Sequence, residues 1–530
     1  MNVPLTPVRC LYRAIDLYPN KVGVVSGPCR YTYSQFGERC ERLAAGLLAE
    51  GIRPGDRVAY LSFNNHQLLE GYYGAPLMRG IVMPLNVRLQ AAELVPILNH
   101  AEARMLVFEN DFAPGVEALR KACPSIKRFV AIDGPAPQAD FPLEDLLSRG
   151  RIDRPDVFSF DENEICELFY TSGSTGVPKG VMLSHRTVFV HALLVSIACA
   201  YRDNTVELHT IPLFHANGWG RPQTATLMGS KQVMVRRFDP ANVLRLIEEE
   251  RATSCSVVPT MANALLNCAE LGRFDVSSME EIHIGGAASS PELVARMEKV
   301  FPNCRVIAGY GLTETCPVAT TSRPKSTVTA GDDEDRVRRQ AMAGWAIPGC
   351  EVRVVDLHMR DVPRDMESIG EVVVRGDNVM DGYYREPEAT NAVLTDGWLH
   401  TGDMAVWDEE RYVQIVDRKK DIIISGGENI SSIEVEKAIF AHPAVLECAV
   451  VAAPDPKWGE VPVAIVVAKP GEDLDSAKLV AFLETRIARF KLPRLIEFAE
   501  GPLPKTGTGK ILKRELREQF WEGKAKRVQG

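Results

Sequence analysis

Apolar and polar positions alternate along the chain in two rhythms. Short runs rich in Val, Ile and Tyr occur at 58–63 (VAYLSF), 104–110 (RMLVFEN) and 129–133 (FVAID). Longer amphipathic stretches separate them, such as ERLAAGLLAEG at 41–51. The short runs suit strands and the long stretches suit helices. A second set follows at 233–238, 255–261, 281–286 and 304–311. Strand–helix–strand order of this kind predicts an α/β fold of parallel sheets with helices on both faces. The apolar stretch from His191 to Tyr201 predicts a buried helix.

After about residue 345 the pattern becomes β-rich, with EVRVVD at 351–356, GEVVVRG at 370–376 and YVQIVDRKKDIIISGG at 412–427. A helix (432–443) and a strand (447–454) then predict a compact unit the size of a small α/β domain. Charged side chains gather at Asp417–Asp421 between two apolar runs and mark a boundary. The expected organisation is a large N-terminal domain, 1–417, of two parallel-type sheets with helices plus a β-rich subdomain. A connection at 418–421 leads to a small α+β domain, 422–530. The polar segment 323–340 reads as a solvated loop and helix face.

Composition narrows the function classes. A chain of 530 residues exceeds one hydrophobic core. Its net charge of −9 gives no overall basic field for nucleic acid or an anionic membrane. The twelve cysteines include no C-x-x-C pair, which predicts reduced, mostly buried thiols. No apolar run reaches the roughly 18 residues of a membrane span. The start, MNVPLTPVRC, lacks a secretory apolar core, and the end, KRVQG, carries no peroxisomal or lipidation signal. The cytoplasm is the expected compartment.

Chemistry concentrates in LFYTSGSTGVPKGVMLSH at 168–185. A strand runs into a loop dense in Gly, Ser and Thr and then into a helical pattern. Glycines let consecutive backbone N–H groups converge on an anion, and hydroxyls add donors. The helix that follows is expected to present its positive end, and Lys179 a mobile cation. The loop is not a phosphate-binding Walker A motif, because Lys179 follows Pro178. Alone, such a loop also suits a flexible connection.

Further motifs stand in order at 284–288 (IGGAA), 310–315 (YGLTET), 397–403 (GWLHTGD), 416–431 (VDRKKDIIISGGENIS) and 504–510 (PKTGTGK). With Thr171–Gly180 they resemble, over essentially the whole chain, the adenylate-forming superfamily of acyl-CoA synthetases, luciferases and peptide-synthetase adenylation domains. The resemblance implies an acyl-CoA ligase: ATP activates a carboxylic acid as an acyl-adenylate, and the acyl group passes to coenzyme A. It also implies that the C-terminal domain is mobile, with Lys420 as the hinge, although many related ligases carry Asp there.

Residue by residue, the resemblance implies that Thr171, Ser172, Gly173, Ser174, Thr175, Gly176 and Lys179 hold the β- and γ-phosphates. Gly286 and Ala287 would offer backbone to one face of the adenine, and Tyr310 would stack on the other. Thr313 would bond the α-phosphate, Gly311 would line the nucleotide and acyl sites, and Glu314 would hold Mg²⁺, a hard cation suited to oxygen ligands. Asp403 and Arg418 would contact the ribose. Lys510 would bridge the substrate carboxylate and the α-phosphate, where a compact cation helps most as charge redistributes. Gly309 departs from relatives that often carry a polar side chain there, leaving a backbone carbonyl for the adenine amino group. Taken singly, Tyr310 also reads as a core aromatic, Glu314 as a helix-start residue, Asp403 as a turn cap and Lys510 as a surface lysine beside Lys513, Arg514 and Arg517.

IPLFHANGWG at 211–220 resembles the acyl-side motif. His215 would sit near the reacting carboxylate and Trp219 would line the acyl pocket. An indole takes up depth, which favours short- to medium-chain acids, branched, thioether and aryl acids included. Ser425, Gly426, Gly427 and Glu428 would border the pantetheine arm of coenzyme A. Competing readings are a stand-alone enzyme loading a carrier protein, an oxidoreductase of the luciferase type, and a non-catalytic nucleotide-binding protein. The expected partners are a small carboxylic acid, ATP and coenzyme A, without nucleic acid or a membrane span; a homodimer fits the same reading.

Overall fold

The computed structural model describes residues 2–171, 178–426, 428–505 and 511–521, with the side chains of Glu428 and Asn429 left out. The chain divides into two compact units. One comprises Met1–Arg353, Val373–His400 and Glu410–Tyr412; the other comprises Val354–Val372, Thr401–Glu409 and Val413–Gly530. The architecture is mixed α/β, with large sheets and helices, a β-rich stretch and a small C-terminal sheet.

The first unit holds two large sheets. A nine-stranded sheet runs in the order Trp345–Ala346, Val318–Thr321, Arg305–Gly311, Glu281–Ile284, Ser254–Val257, Val206–His209, Lys231–Met234, Val22–Ser26, Cys29–Thr32. Its centre is parallel and its edges are antiparallel. Leu208, Val233, Cys255, Val257 and Ile282 pack with Val243, Leu244, Val294 and Met297 from flanking helices. Truncating Leu208, Leu244, Ile282 or Met297 to Ala costs about 2–5 kcal/mol.

The second sheet has eight strands, in the order Gly382–Tyr383, Lys179–Ser184, Ile165–Thr171, Ile81–Pro84, Arg57–Leu61, Met105–Phe108, Arg128–Ala131, Phe141–Pro142. It is parallel from Ile165–Thr171 to Phe141–Pro142 and antiparallel across the two strands nearest Gly382. Here one expectation is overturned. The segment after the Gly/Ser/Thr loop is a strand, Lys179–Ser184, and the helix His185–Ala198 starts only beyond it. Val181, Met182 and Leu183 pair with Phe169, Leu168 and Glu167, so this apolar run is spent on the sheet. Ser184 caps the helix by accepting from Thr187 N. The helix therefore begins a full strand away from Lys179 and does not open at the loop.

In the second unit, residues 401–407 end the strand Trp398–Trp407, where Asp403, Ala405 and Trp407 pair with Arg418, Ile415 and Val413. The C-terminal sheet places Gly459–Ala468 between Val445–Asp455 on one side and Ile423–Ser425 and Leu495–Phe498 on the other. One face packs Ile423, Val450 and Val466 against Val435 and Ile439 of the helix Ser432–Phe440 and Leu479 and Leu483 of Ser476–Glu484. The other packs Val451, Val463 and Ile465 with Leu516 of the helix Lys513–Trp521. All twelve cysteines are free and ten are buried. Among the described residues no helix is long and apolar enough to cross a membrane.

Candidate active site

Thr171 ends its strand opposite Lys179, so the two residues form the base of a hairpin. The loop itself, with Ser172, Gly173, Ser174, Thr175 and Gly176, lies outside the described residues. The Lys179 ammonium sits 4.9 Å from the centroid of the Tyr383 ring, a cation–π geometry. Tyr383 is aligned by pairing with Val181 on the same returning strand. Its hydroxyl donates to Glu314 Oε1 at 2.8 Å. A cation, an aromatic ring and a carboxylate thus form one connected chain across three segments.

Glu314 lies in the single turn Thr313–Thr315 that follows the strand Arg305–Gly311. Met380 N donates to its backbone carbonyl at 2.8 Å, and Asn378 Nδ2 donates to Thr315 O at 3.0 Å. Gly311 tolerates no side chain, because a Cβ there would stand 1.7 Å from Pro317 O. Tyr310 is half-buried, and its N–H donates to Thr320 Oγ1 at 3.1 Å. Gly286 adopts φ +76°, a glycine conformation, and with Ala287 exposes backbone beyond the strand Glu281–Ile284. Gly309 presents its carbonyl close to Gly285. The Glu314 carboxylate, steadied by a phenol, fits a hard cation that also binds phosphate oxygens.

The acyl-side motif forms an unusual turn. Ala216, Asn217, Gly218, Trp219 and Gly220 all have positive φ, between 43° and 71°. Each non-glycine residue there costs about 1–2 kcal/mol. Leu213 anchors the approach: its N–H donates to Asn64 Oδ1 and its carbonyl accepts from Tyr72 Oη, both at 2.7 Å. His215 is half-buried at the start of the turn. The Trp219 indole lies against Gly285 and Gly286, where an added Cβ would come within 3.1 Å and 3.5 Å of it. The structure therefore brings Trp219 to Gly286, singled out for the adenine, and to its neighbour Gly285.

The second unit carries the remaining candidates. Arg418 Nε pairs with Asp403 Oδ1 at 2.6 Å, and Asp403 lies within a strand, not at a turn. Residues 419–421 form a tight turn, closed by Asp421 N donating to Arg418 O at 2.8 Å. Arg517 Nη1 donates to the Lys420 carbonyl and to Asp421 Oδ1, each at 3.1 Å. Burial holds the Lys420 ammonium below its ordinary range. Ser425 stands opposite Glu428 across a turn in which Gly426 has φ +61°. Gly426 N donates to Trp458 O at 2.8 Å, and the Trp458 indole covers the glycine so closely that a Cβ would fall 2.7 Å away. Gly427, the Glu428 side chain and Lys510 lie outside the described residues.

Two residues that the structure places beside these candidates carry little or no sequence signal of their own. Tyr383 sits in GYYREP, which looks like an ordinary turn. Glu167 is a fully buried carboxylate on the strand that ends at Thr171. Its only hint is a charge inside an apolar run, ICELFYT.

A hairpin base at Thr171 and Lys179, with Lys179 and Glu314 linked through Tyr383, suits an anionic ligand and a hard cation, as a nucleotide-dependent enzyme requires. Comparison with known proteins gives the family. Residues 11–384 match the AMP-binding enzyme model and residues 434–510 match the AMP-binding enzyme C-terminal domain. The chain is 40% identical to a long-chain-fatty-acid–CoA ligase of Thermus thermophilus, covering 93% of this chain and 90% of that protein. It is 34% identical to a peroxisomal butyrate–CoA ligase of Arabidopsis thaliana, over 98% and 93%. The crystal structure of an anthranilate CoA ligase in complex with anthranoyl-AMP superposes with a TM-score of 0.86 at 25% identity, covering 98% of each chain. The chain belongs to the AMP-binding enzyme family of the adenylate-forming superfamily and is an AMP-forming acid–CoA ligase. Its substrates include ATP and coenzyme A, and its cation is Mg²⁺.

Proposed function

We propose that this ligase acts on short- to medium-chain carboxylic acids, branched, thioether and aryl acids included, by adenylation followed by transfer to coenzyme A. The observation that carries the substrate class is the Trp219 indole seated on Gly285 and Gly286. An aromatic wall beside the expected adenine face leaves limited depth for an acyl chain. The relatives act on acids of several kinds by their names, from long-chain fatty acids to butyrate, so the pocket residues carry the choice.

In this reading the hairpin rooted at Thr171 and Lys179 takes the β- and γ-phosphates. Glu314 holds Mg²⁺, which draws charge from the phosphates when bound. Tyr383 keeps Glu314 and Lys179 in register. Thr313 takes the α-phosphate, Tyr310, Gly286 and Ala287 take the adenine, and Gly311 lines both substrates. Asp403 and Arg418 take the ribose, and His215 faces the acyl carboxylate and the thiol path. Lys510 places its ammonium between carboxylate and α-phosphate during adenylation, where like charges must approach. Ser425, Gly426, Gly427 and Glu428 border the pantetheine arm. The segment 418–421, with Lys420 as pivot, separates an adenylating domain, 1–417, from a C-terminal domain, 422–530, that turns between the two half-reactions. The cytoplasm and a homodimeric assembly belong to the same proposal.

The test is a series of straight, branched and aryl acids assayed for AMP release with coenzyme A present and absent. Acids of short to medium length should give the highest kcat/KM. Trp219→Ala should shift the ranking towards longer or bulkier acids, by about 1–3 kcal/mol of discrimination. An unchanged ranking would place Trp219 outside the acyl pocket.

A further inference from the structure

Glu167 is the most deeply enclosed carboxylate near the acyl-side turn, with no exposed surface. It sits on the strand Ile165–Thr171, paired with Val82 on one side and Leu183 on the other. Its two oxygens reach away from that strand to the acyl side. Oε1 accepts from Gln223 Nε2 at 2.7 Å and Oε2 accepts from Asn217 Nδ2 at 3.2 Å. Both amides are buried. Asn217 then carries the link onward, since its Oδ1 accepts from Gly220 N at 2.7 Å. One buried carboxyl thus joins the strand leading to the phosphate hairpin with both ends of the positive-φ turn.

That turn needs such a brace. Asn217, at φ 43°, and Trp219, at φ 60°, hold a backbone that side chains other than glycine adopt at a cost. A strained backbone persists only where its surroundings over-determine it. Gly218 and Gly220 are fitted closely, with a Cβ at Gly220 falling 2.3 Å from His191 and one at Gly218 falling 2.8 Å from Leu213. The direction of the Trp219 indole onto Gly285 and Gly286 follows directly from the turn's backbone. Releasing Asn217 would let the turn relax and swing the indole.

We propose that Glu167 is a positioning residue for acid selectivity: through Asn217 and Gln223 it locks the turn that aims Trp219, and so sets the acyl pocket without touching substrate. This rests on the reading that Trp219 lines that pocket. The test uses the full-length enzyme with Glu167→Gln, Asn217→Gly and the double variant, measured for KM and kcat across an acid chain-length series, for KM of ATP, and for thermal unfolding. Glu167→Gln keeps the shape but sets an amide against two amide donors. Asn217→Gly tolerates the positive φ and removes the link, so it reports even if the Glu167 variant fails to fold.

Each single variant should raise the KM of the preferred acid about tenfold and flatten the chain-length ranking, the loss expected when one buried polar group loses its hydrogen-bond partner. The KM of ATP should stay within about twofold, a split that general loosening of the fold would not give. The double variant should be no worse than the poorer single one, because both act through one link. Additive losses, an unchanged ranking in a folded variant, or an equal rise in the KM of ATP would overturn the proposal. If Trp219→Ala shifts the ranking and these variants do not, the brace fails while the pocket reading stands. If Trp219→Ala also leaves it unchanged, the pocket reading itself fails.

Discussion

At the scale of single residues, the site depends on polar groups placed by distant segments. Tyr383 is the clearest case: its ring faces Lys179 and its hydroxyl serves Glu314. Tyr383→Phe keeps the ring and deletes the hydroxyl. We expect a weaker apparent affinity for Mg²⁺-ATP, by about three- to tenfold, the net worth of one hydrogen bond, with the KM for the acid unchanged. Titration of activity against Mg²⁺ at fixed ATP checks this, and an unaltered Mg²⁺ curve would remove Tyr383 from the site. Glu167 gives a second residue-scale prediction. Burial outweighs the lowering effect of the Asn217 and Gln223 amides and holds its carboxyl up, from 4.5 to about 8. The unfolded chain loses this proton first as pH rises, so the native state holds one more proton between those values. The carboxyl's contribution to stability is therefore complete below about pH 4.5 and is lost as pH climbs through about 8. Glutamine does not ionise, so denaturant unfolding from pH 5 to pH 9 should show wild type losing stability relative to Glu167→Gln. A constant difference across that range would contradict the raised value. Neither Tyr383 nor Glu167 was legible in the sequence, because their significance comes from partners 69 and 50 positions away. The motif residues Thr171, Lys179 and Glu314 stand out in the sequence because each lies in a contiguous run of unusual composition, and the structure brings Lys179 and Glu314 to one tyrosine.

At the scale of elements, short apolar runs read correctly as strands wherever β-branched residues were bounded by polar turns, as in Arg57–Leu61 and Glu281–Ile284. GVMLSH misled for a physical reason. Its helical spacing comes from the helix His185–Ala198 that follows, while Val181, Met182 and Leu183 are taken by pairing with the preceding strand. In the proposed reading no helix terminus serves the phosphates, because the helix His185–Ala198 opens a full strand beyond Lys179. The turn 419–421 bears the next prediction. It is pinned by Arg517 on the Lys420 carbonyl, in a helix whose first residue, Lys513, bonds Ser432 Oγ at 2.6 Å and pairs with Glu436 at 2.8 Å. A few hinge residues can absorb a large backbone change. Lys420→Pro fixes φ near −65° and restricts Lys419 as well. The folded variant should keep acid-dependent pyrophosphate exchange and lose most thioester formation from supplied acyl-adenylate, while Lys420→Ala should do far less harm. Full thioester formation by the proline variant would refute a pivot at this position.

At the scale of the whole molecule, the chain is an acid–CoA ligase, and the proposed mechanism has one acyl site serve two second substrates. Its ordered motifs span the chain, which is why class and cofactors were readable from sequence while the acid was not: in the proposed reading specificity rests on the shape of one turn, 216–220. The most direct measurement compares both half-reactions in wild type and Lys510→Ala. With coenzyme A omitted, wild type should catalyse acid-dependent exchange of pyrophosphate into ATP, and Lys510→Ala should lose it by several orders of magnitude. Given synthetic acyl-adenylate and coenzyme A, the same variant should still form thioester at close to the wild-type rate. Absence of exchange with every acid in wild type, or equal loss of both half-reactions in Lys510→Ala, would contradict the account.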